Sequence, residues 1–116
     1  MAYSTEALRA LTSRLSFKQS WNVETLAGAK ACSLSSGQFQ QLDPGGAHRD
    51  VTLPAVAKGD AGYFFVFANA ASGAENLVVK DAAASTIATF GQSKCGIVFV
   101  DSAGAWQSFG ALDYAA

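Results

Sequence analysis

Residues 63–68 read "YFFVFA" and residues 96–100 read "GIVFV". Both runs are too short for a buried helix and are rich in aromatic and β-branched residues, which favours strands. Because their apolar residues occupy successive positions, both faces of each strand need cover. One face would meet an opposing sheet. The other would meet the N-terminal part of the chain or a neighbouring subunit, since a bare apolar strand is an aggregation hazard.

The chain around these two runs breaks into short strand-like pieces divided by turn residues. The eight predicted strands are "ACSLS", "QFQQL", "RDVTL", "YFFVFA", "ENLVVKD", "STIATF", "CGIVFVD" and "AWQSFGAL". No helical pattern alternates with them, so a doubly wound parallel sheet is not expected. The spacing predicts an all-β domain over residues 31–116, a small antiparallel β-sandwich or barrel.

Alternation within the strands predicts which side chains face the core. Val51 and Leu53 alternate with Thr52, and Pro54 follows, which is typical of an edge strand. The predicted core consists of Leu42, Val51, Leu53, Phe65, Phe67, Leu77, Val79, Ile87, Ile97, Phe99 and Trp106.

The sequence predicts that residues 1–30 form a different segment, an N-terminal arm that contains a short helix. Leu8, Leu11 and Leu15 fall on one face of that helix, which is too short to be stable without a surface to pack on. The predicted partner-binding residues of the arm, toward a capsid or a neighbouring subunit, are Leu8, Leu11, Leu15, Phe17, Trp21 and Leu26. The pattern leaves two arrangements open: an arm laid on a partner, or a lid packed on the sheet of its own subunit.

Composition limits the classes of partner. The 116 residues carry a net charge of −1, and only 15% of them are charged. Residues 1–30 have four basic and two acidic side chains, whereas the rest have four basic and seven acidic ones. This is far from the basic stripe of a nucleic-acid binder, and no apolar run reaches membrane-span length. A low charged fraction instead favours an oligomer or partner interface.

Catalytic and metal-binding patterns are missing from the sequence. His48 has Asp43 and Asp50 nearby, but no serine lies in a Gly-x-Ser-x-Gly elbow, so a turn histidine is the better interpretation. Cys32 and Cys95 lack partners at metal-ligand spacing. We expect free thiols, with a single disulfide as the alternative. The sequence therefore predicts no catalytic residue, no metal ligand and no cofactor, and a protein that is not an enzyme.

The order of the motifs resembles a known class of virion protein. A strand ending in "LDPGG" is followed by "RDVTLP", a Gly and an aromatic strand ending at Asn69, then "AENLVVKD" and a close around Trp106 after Asp101–Gly104. Over residues 33–110 this is similar to small β-domains of tailed-bacteriophage virions, especially capsid decoration (cement) proteins and head-fibre parts.

The resemblance implies a virion structural protein that is made in the host cytoplasm and sits on the capsid surface. Such proteins are typically trimers that bind the major capsid protein and stabilise the shell by contact. The alternative is a head-fibre or tail-associated receptor- or glycan-binding β-module. Its aromatic platform would come from Tyr63, Trp106 or Tyr114, although aromatics in strands more often belong to cores.

Overall fold

A computed structural model describes residues 21–113 of the chain. Its elements are β1 Trp21–Thr25, β2 Lys30–Ala31, β3 Phe39–Asp43, β4 Arg49–Thr52, a 3₁₀ helix Lys58–Asp60, β5 Phe64–Asn69, β6 Leu77–Lys80, β7 Thr86–Phe90, β8 Lys94–Val100, β9 Trp106–Ser108 and β10 Leu112–Asp113. The predicted all-β class is confirmed. "ACSLS" contributes only its first residue to a strand, and "AWQSFGAL" divides between β9 and β10.

The strands form two mixed sheets. One has the order β1-β3-β5-β8-β10, with β9 also pairing β8, and the other has the order β2-β4-β6-β7. From β1 to β6 the chain alternates between the sheets, so successive strands of the same sheet run in the same direction. β1, β3 and β5 are parallel neighbours, as are β2, β4 and β6. The prediction of antiparallel sheets is therefore wrong for these four pairs and holds only for β7 to β10 with their neighbours.

The turn after β3 shows why the local pattern misled. Asp43-Pro44-Gly45-Gly46 looks like a hairpin turn, but it carries the chain from one sheet into the other. Gly45 has φ +76°, and a Cβ there would collide with the Leu26 carbonyl oxygen. β4 then lies between β2 and β6, so its predicted edge position is wrong. Pro54 has no N–H group, but it removes no hydrogen bond from the ladder. The ladder bond is made by the preceding residue, because the Leu53 N–H donates to the Lys80 carbonyl at 2.7 Å.

The core draws side chains from both sheets. Of the predicted core, all but three residues are buried, and Ile87 packs partly buried against it. The core prediction was wrong for Ile97 and Phe99. Val98 and Val100 point inward from β8, whereas Ile97 and Phe99 point away from the core. A strand that is apolar at every position does not reveal which alternate set faces the core. The core also includes Leu26, Cys32 and Phe90.

Residues 21–30 take part in the sheets, although the sequence assigned them to the N-terminal arm. β1 pairs β3 along its whole length, and the Leu26 N–H donates to the Asp43 carbonyl at 2.7 Å. Leu26 is 4% exposed and belongs to the core. The polar residues around it hid this strand from the pattern. The predicted arm residues Leu8, Leu11, Leu15 and Phe17 lie outside the described residues.

Two antiparallel connections, after β6 and after β8, use the same turn. Asp81 Oδ1 accepts hydrogen bonds from the N–H groups of Ala83 and Ser85, and Asp101 Oδ1 accepts from those of Ala103 and Ala105. The fourth residue of each turn has positive φ, +68° at Ala84 and +84° at Gly104. Only the second turn has the residue type that this conformation favours.

We predict that Ala84→Gly stabilises the protein by about 0.5–1 kcal/mol, because glycine relieves the left-handed strain of an L-residue. Gly104→Ala should destabilise it by more than about 1 kcal/mol, since its Cβ would lie 2.5 Å from the Lys58 nitrogen. Urea unfolding of both variants measures this. An Ala84→Gly variant less stable than the parent would contradict the assignment of strain.

We predict that Leu26→Ala lowers the free energy of unfolding by about 2–4 kcal/mol, because it empties a packed core position. The matched control is Val23→Ala on the same segment, where the side chain is 65% exposed and the expected change is within about 0.5 kcal/mol. Equal losses in the two variants would show that residues 21–26 do not belong to the folded core.

Candidate interaction surface

The side chains of the six-stranded sheet that point away from the core form a continuous surface, called here the outer face. Side chains alternate between the two sides of each strand, and those on the opposite side are buried, namely Leu42, Phe65, Phe67 and Val98. Its members are Trp21, Val23, Thr25, Phe39, Gln41, Asp43, Phe64, Val66, Ala68, Cys95, Ile97, Phe99, Gln107 and Leu112, with Phe109 stacked on Phe99.

The outer face is mainly apolar, and its polar members are Thr25, Gln41, Asp43 and Gln107. Trp21, Val23, Phe109 and Leu112 are 58–74% exposed, and they account for four of the five exposed large apolar side chains among residues 21–113. They lie at the two edges, on β1 and around β10. The central members on β5 and β8 are half-buried among their neighbours. A soluble protein seldom leaves so many large apolar groups together unless they contact something.

Aromatic rings organise both edges of this surface. Trp21 stacks on Phe39 with ring centroids 5.3 Å apart, and Phe109 stacks on Phe99 at 4.7 Å. Stacked rings hold their side chains in place, so less conformational freedom is lost when a partner binds. Trp21 is thus the one predicted partner-binding residue that the described structure places on this surface.

Charged groups lie at the margin of the outer face. Among the described strand residues, Asp43 alone brings a charge to this side, and its carboxylate accepts a hydrogen bond from the Gly45 N–H at 2.9 Å. At the opposite edge Lys94 pairs with Asp113, and this pairing lowers the pKa of the Asp113 carboxyl. The centre of the surface therefore offers apolar contact with little charge to desolvate.

The two cysteines are both free thiols, as expected, and sit in different surroundings. Cys32 is 6% exposed in the core, and burial raises the pKa of its thiol to about 11. Cys95 is half-buried on the outer face, where it pairs in register with Leu112. Cys95 is thus a natural chemical reporter of whatever covers this surface.

The residues weighed for catalysis have separate local roles. The exposed His48 accepts a hydrogen bond on Nδ1 from the Asn76 N–H at 2.9 Å. Asp50 pairs with Lys80 at 3.1 Å, while Asp43 closes its own turn. Within residues 21–113, no three His, Cys, Asp or Glu side chains group as metal ligands would.

Two of the three aromatic residues considered for sugar binding are committed to other contacts. Trp106 is 6% exposed, and its indole N–H donates to the Pro54 carbonyl at 3.0 Å. The Tyr63 hydroxyl donates to the Leu34 carbonyl at 2.9 Å. Tyr114 lies outside the described residues. Trp106 still lines a shallow cleft of about 310 Å³, but its neighbours there are mainly small residues such as Ala83 and Gly104.

Sequence reasoning anticipated a second apolar face and named Trp21 as a contact residue, but it did not anticipate Val23, Phe109 and Leu112 at the edges of that face. Val23 stands in a polar stretch, and Phe109 and Leu112 were merged into one predicted strand. The useful signal was the uninterrupted apolar run in β5 and β8, which requires cover on both sides.

Comparison of the chain with protein-family models, curated proteins and solved structures finds no match. In the part of the chain that the structure describes, no helix has the length and apolarity required to cross a membrane.

We predict that the double variant Phe109→Ser and Leu112→Ser binds less of an apolar fluorescent dye than the parent. Its unfolding free energy should change by less than about 1 kcal/mol, because both side chains are largely exposed. Leu34→Ser is the matched control, since Leu34 is 43% exposed but lies in the loop between β2 and β3, outside the strands of the outer face. Unchanged dye binding in the double variant would show that this edge is not an accessible apolar surface.

Proposed function

We propose that this chain is a virion structural protein, a capsid decoration (cement) protein that binds the outer surface of the major capsid shell of a tailed bacteriophage. The observation that carries the proposal is the apolar outer face, which suits a protein that works by contact area. The motif order over residues 33–110 supports the same assignment. No catalytic chemistry is needed for this role.

We further propose that the two sheets pack as a small β-sandwich, with an N-terminal arm that contains a helix. Support comes from one shared core. In it, the ring centroids of Phe67 in the six-stranded sheet and Phe90 in the other sheet lie 6.3 Å apart. A sandwich with one apolar outer face is a suitable shape for lying flat on a shell.

Binding would use both oligomer and arm contacts. A closed homotrimer would hide apolar edge residues between subunits, and many copies on a lattice would make weak individual contacts sufficient. In this proposal Leu8, Leu11, Leu15, Phe17 and Trp21 supply partner contacts. Leu26 acts by anchoring β1 in the core, which holds Trp21 at the edge of the outer face.

We predict that a map of particles purified from the virus that encodes this chain shows it on the capsid surface, in groups of three. The same double variant, Phe109→Ser with Leu112→Ser, should bind shells lacking the protein at least about tenfold more weakly, since two exposed apolar contacts are lost. Co-sedimentation measures this, with Leu34→Ser as the matched control.

Particles without the chain on the shell would overturn the proposal. Finding it at a fibre or tail tip would favour the receptor-binding alternative.

A further inference from the structure

β1 presents a row of backbone groups that no described strand pairs. β1 and β10 end the larger sheet, and β2 and β7 end the smaller one. β2 and β10 have only two residues each, while β7 lies against β8 and β9 of the other sheet. β1 has five residues and contacts chiefly β3. It is therefore the longest open sheet edge within residues 21–113.

Three residues of β1 direct their backbone N–H and C=O groups toward this open side. In a parallel pair of strands, alternate residues bond to the neighbouring strand. The Leu26 N–H, directly after β1, donates to the Asp43 carbonyl of β3, which fixes the alternation. Trp21, Val23 and Thr25 therefore point their N–H and C=O groups away from β3. Such a row is a template for one more strand.

β1 lacks the features that usually keep an edge strand from pairing. Open edges are normally protected by proline, lysine, a bulge or an uncompensated charge. β1 reads "WNVET" and pairs β3 without a register shift. Its one charged side chain, Glu24, accepts a hydrogen bond from Lys30 of the same subunit at 2.8 Å. That charge is compensated, so it does not oppose an added strand.

The sequence of β1 fits a second copy of itself in one antiparallel register. With Val23 opposite Val23 of the second copy, Trp21 lies opposite Thr25, and every outward N–H and C=O group of β1 meets a partner. Asn22 then lies opposite Glu24, so an amide meets a carboxylate. A register shifted by two residues toward the C-terminal end would place Glu24 opposite Glu24, which like-charge repulsion disfavours.

The same register covers the apolar side chains at this edge. Trp21 and Val23 are 58% and 65% exposed on the outer side of β1. Across the two-fold axis the two Val23 side chains would lie side by side, with the Trp21 ring of each copy at the diagonal position. Aromatic and β-branched side chains in such cross-strand positions stabilise a sheet. The edge is thus self-complementary in its backbone, its charge and its apolar groups.

We infer that two copies of this chain pair their β1 strands antiparallel about a two-fold axis at Val23, which continues the six-stranded sheet from one copy into the other. The contact is isologous, because each copy contributes the same strand. The inference goes beyond the proposed function, since it concerns the free protein and uses the sheet edge instead of the outer face. On a shell, such a contact would link neighbouring groups of subunits.

Sedimentation velocity of the full-length chain over about a hundredfold range of concentration tests this contact. We expect a reversible monomer–dimer equilibrium. Val23→Pro should weaken the dimer at least about tenfold, because it removes the hydrogen bond that each copy donates at the axis. The β1–β3 ladder keeps its bonds, since the Val23 N–H points away from β3. Val23→Thr, the matched control, keeps the N–H and the branched shape and should change dimerisation less than about threefold.

Cross-linking gives a second measurement that does not involve proline. In a Cys95→Ser background, Val23→Cys should cross-link between copies with a short bismaleimide, because the two thiols meet at the axis. Leu112→Cys is the matched control, since Leu112 is 68% exposed but lies at the opposite edge of the sheet, about 19 Å from β1. Cys32 is buried and its pKa is about 11, so it should not react. We expect cross-linking at position 23 to be at least about tenfold faster.

A full-length chain that stays monomeric over the whole concentration range would overturn the inference, as would equal cross-linking at the two positions. Phe109→Ser with Leu112→Ser should dimerise like the parent. Loss of the dimer in that double variant, with a normal dimer in Val23→Pro, would assign the contact to the outer face and also overturn the inference. If urea unfolding shows that Val23→Pro has lost its fold, the cross-linking comparison decides.

Discussion

β5 and β8 are apolar on both of their faces, so both faces need cover. This requirement explains most of the structure. On the inner side Phe65, Phe67 and Val98 are fully buried against the smaller sheet. A fully buried polar group interrupts that side, Asn69 at the end of β5. Its amide donates to the carbonyls of Glu75 and Phe90, each at 2.8 Å, and its oxygen accepts from the Ala71 N–H at 2.9 Å. A fully hydrogen-bonded amide can be buried without a large free-energy penalty. This one links the end of β5 to β7 and to the loop between β5 and β6.

The winding of the chain determines what remains on the other side. Because β1 to β6 alternate between two sheets, β5 and β8 end up in the middle of the larger one, flanked by β3 and β10. The outer face is therefore continuous, with its most exposed apolar side chains at the edges. Through this arrangement the apolar character of β5 and β8 becomes part of a surface that extends across the six-stranded sheet. A protein that acts by contact needs such a surface, and the proposed function depends on it.

Individual residues show how far pattern reasoning reaches. Leu42, Val51 and Leu53 were placed correctly because polar neighbours alternate with them, so only one set can face inward. Ile97 and Phe99 were misplaced because Val98 and Val100 are equally apolar, and the choice between the two sets depends on pairing with β5 and β9. Trp21 is exposed at the edge of the outer face, and its role as a contact residue stays a prediction. Leu26, directly after the end of the same strand, was assigned to the arm because the residues of that strand are mostly polar.

By itself the sequence determined the all-β class, the position of most strands, the burial of their alternating residues and the need for cover on both faces of β5 and β8. These follow from local periodicity and turn chemistry, which act over a few residues. Only the tertiary structure decided that the first six strands are parallel within two sheets, that Leu26 is core, and that Val23, Phe109 and Leu112 border one surface. Strand pairing joins segments that are tens of residues apart, and no short pattern encodes which of the compatible partners is chosen.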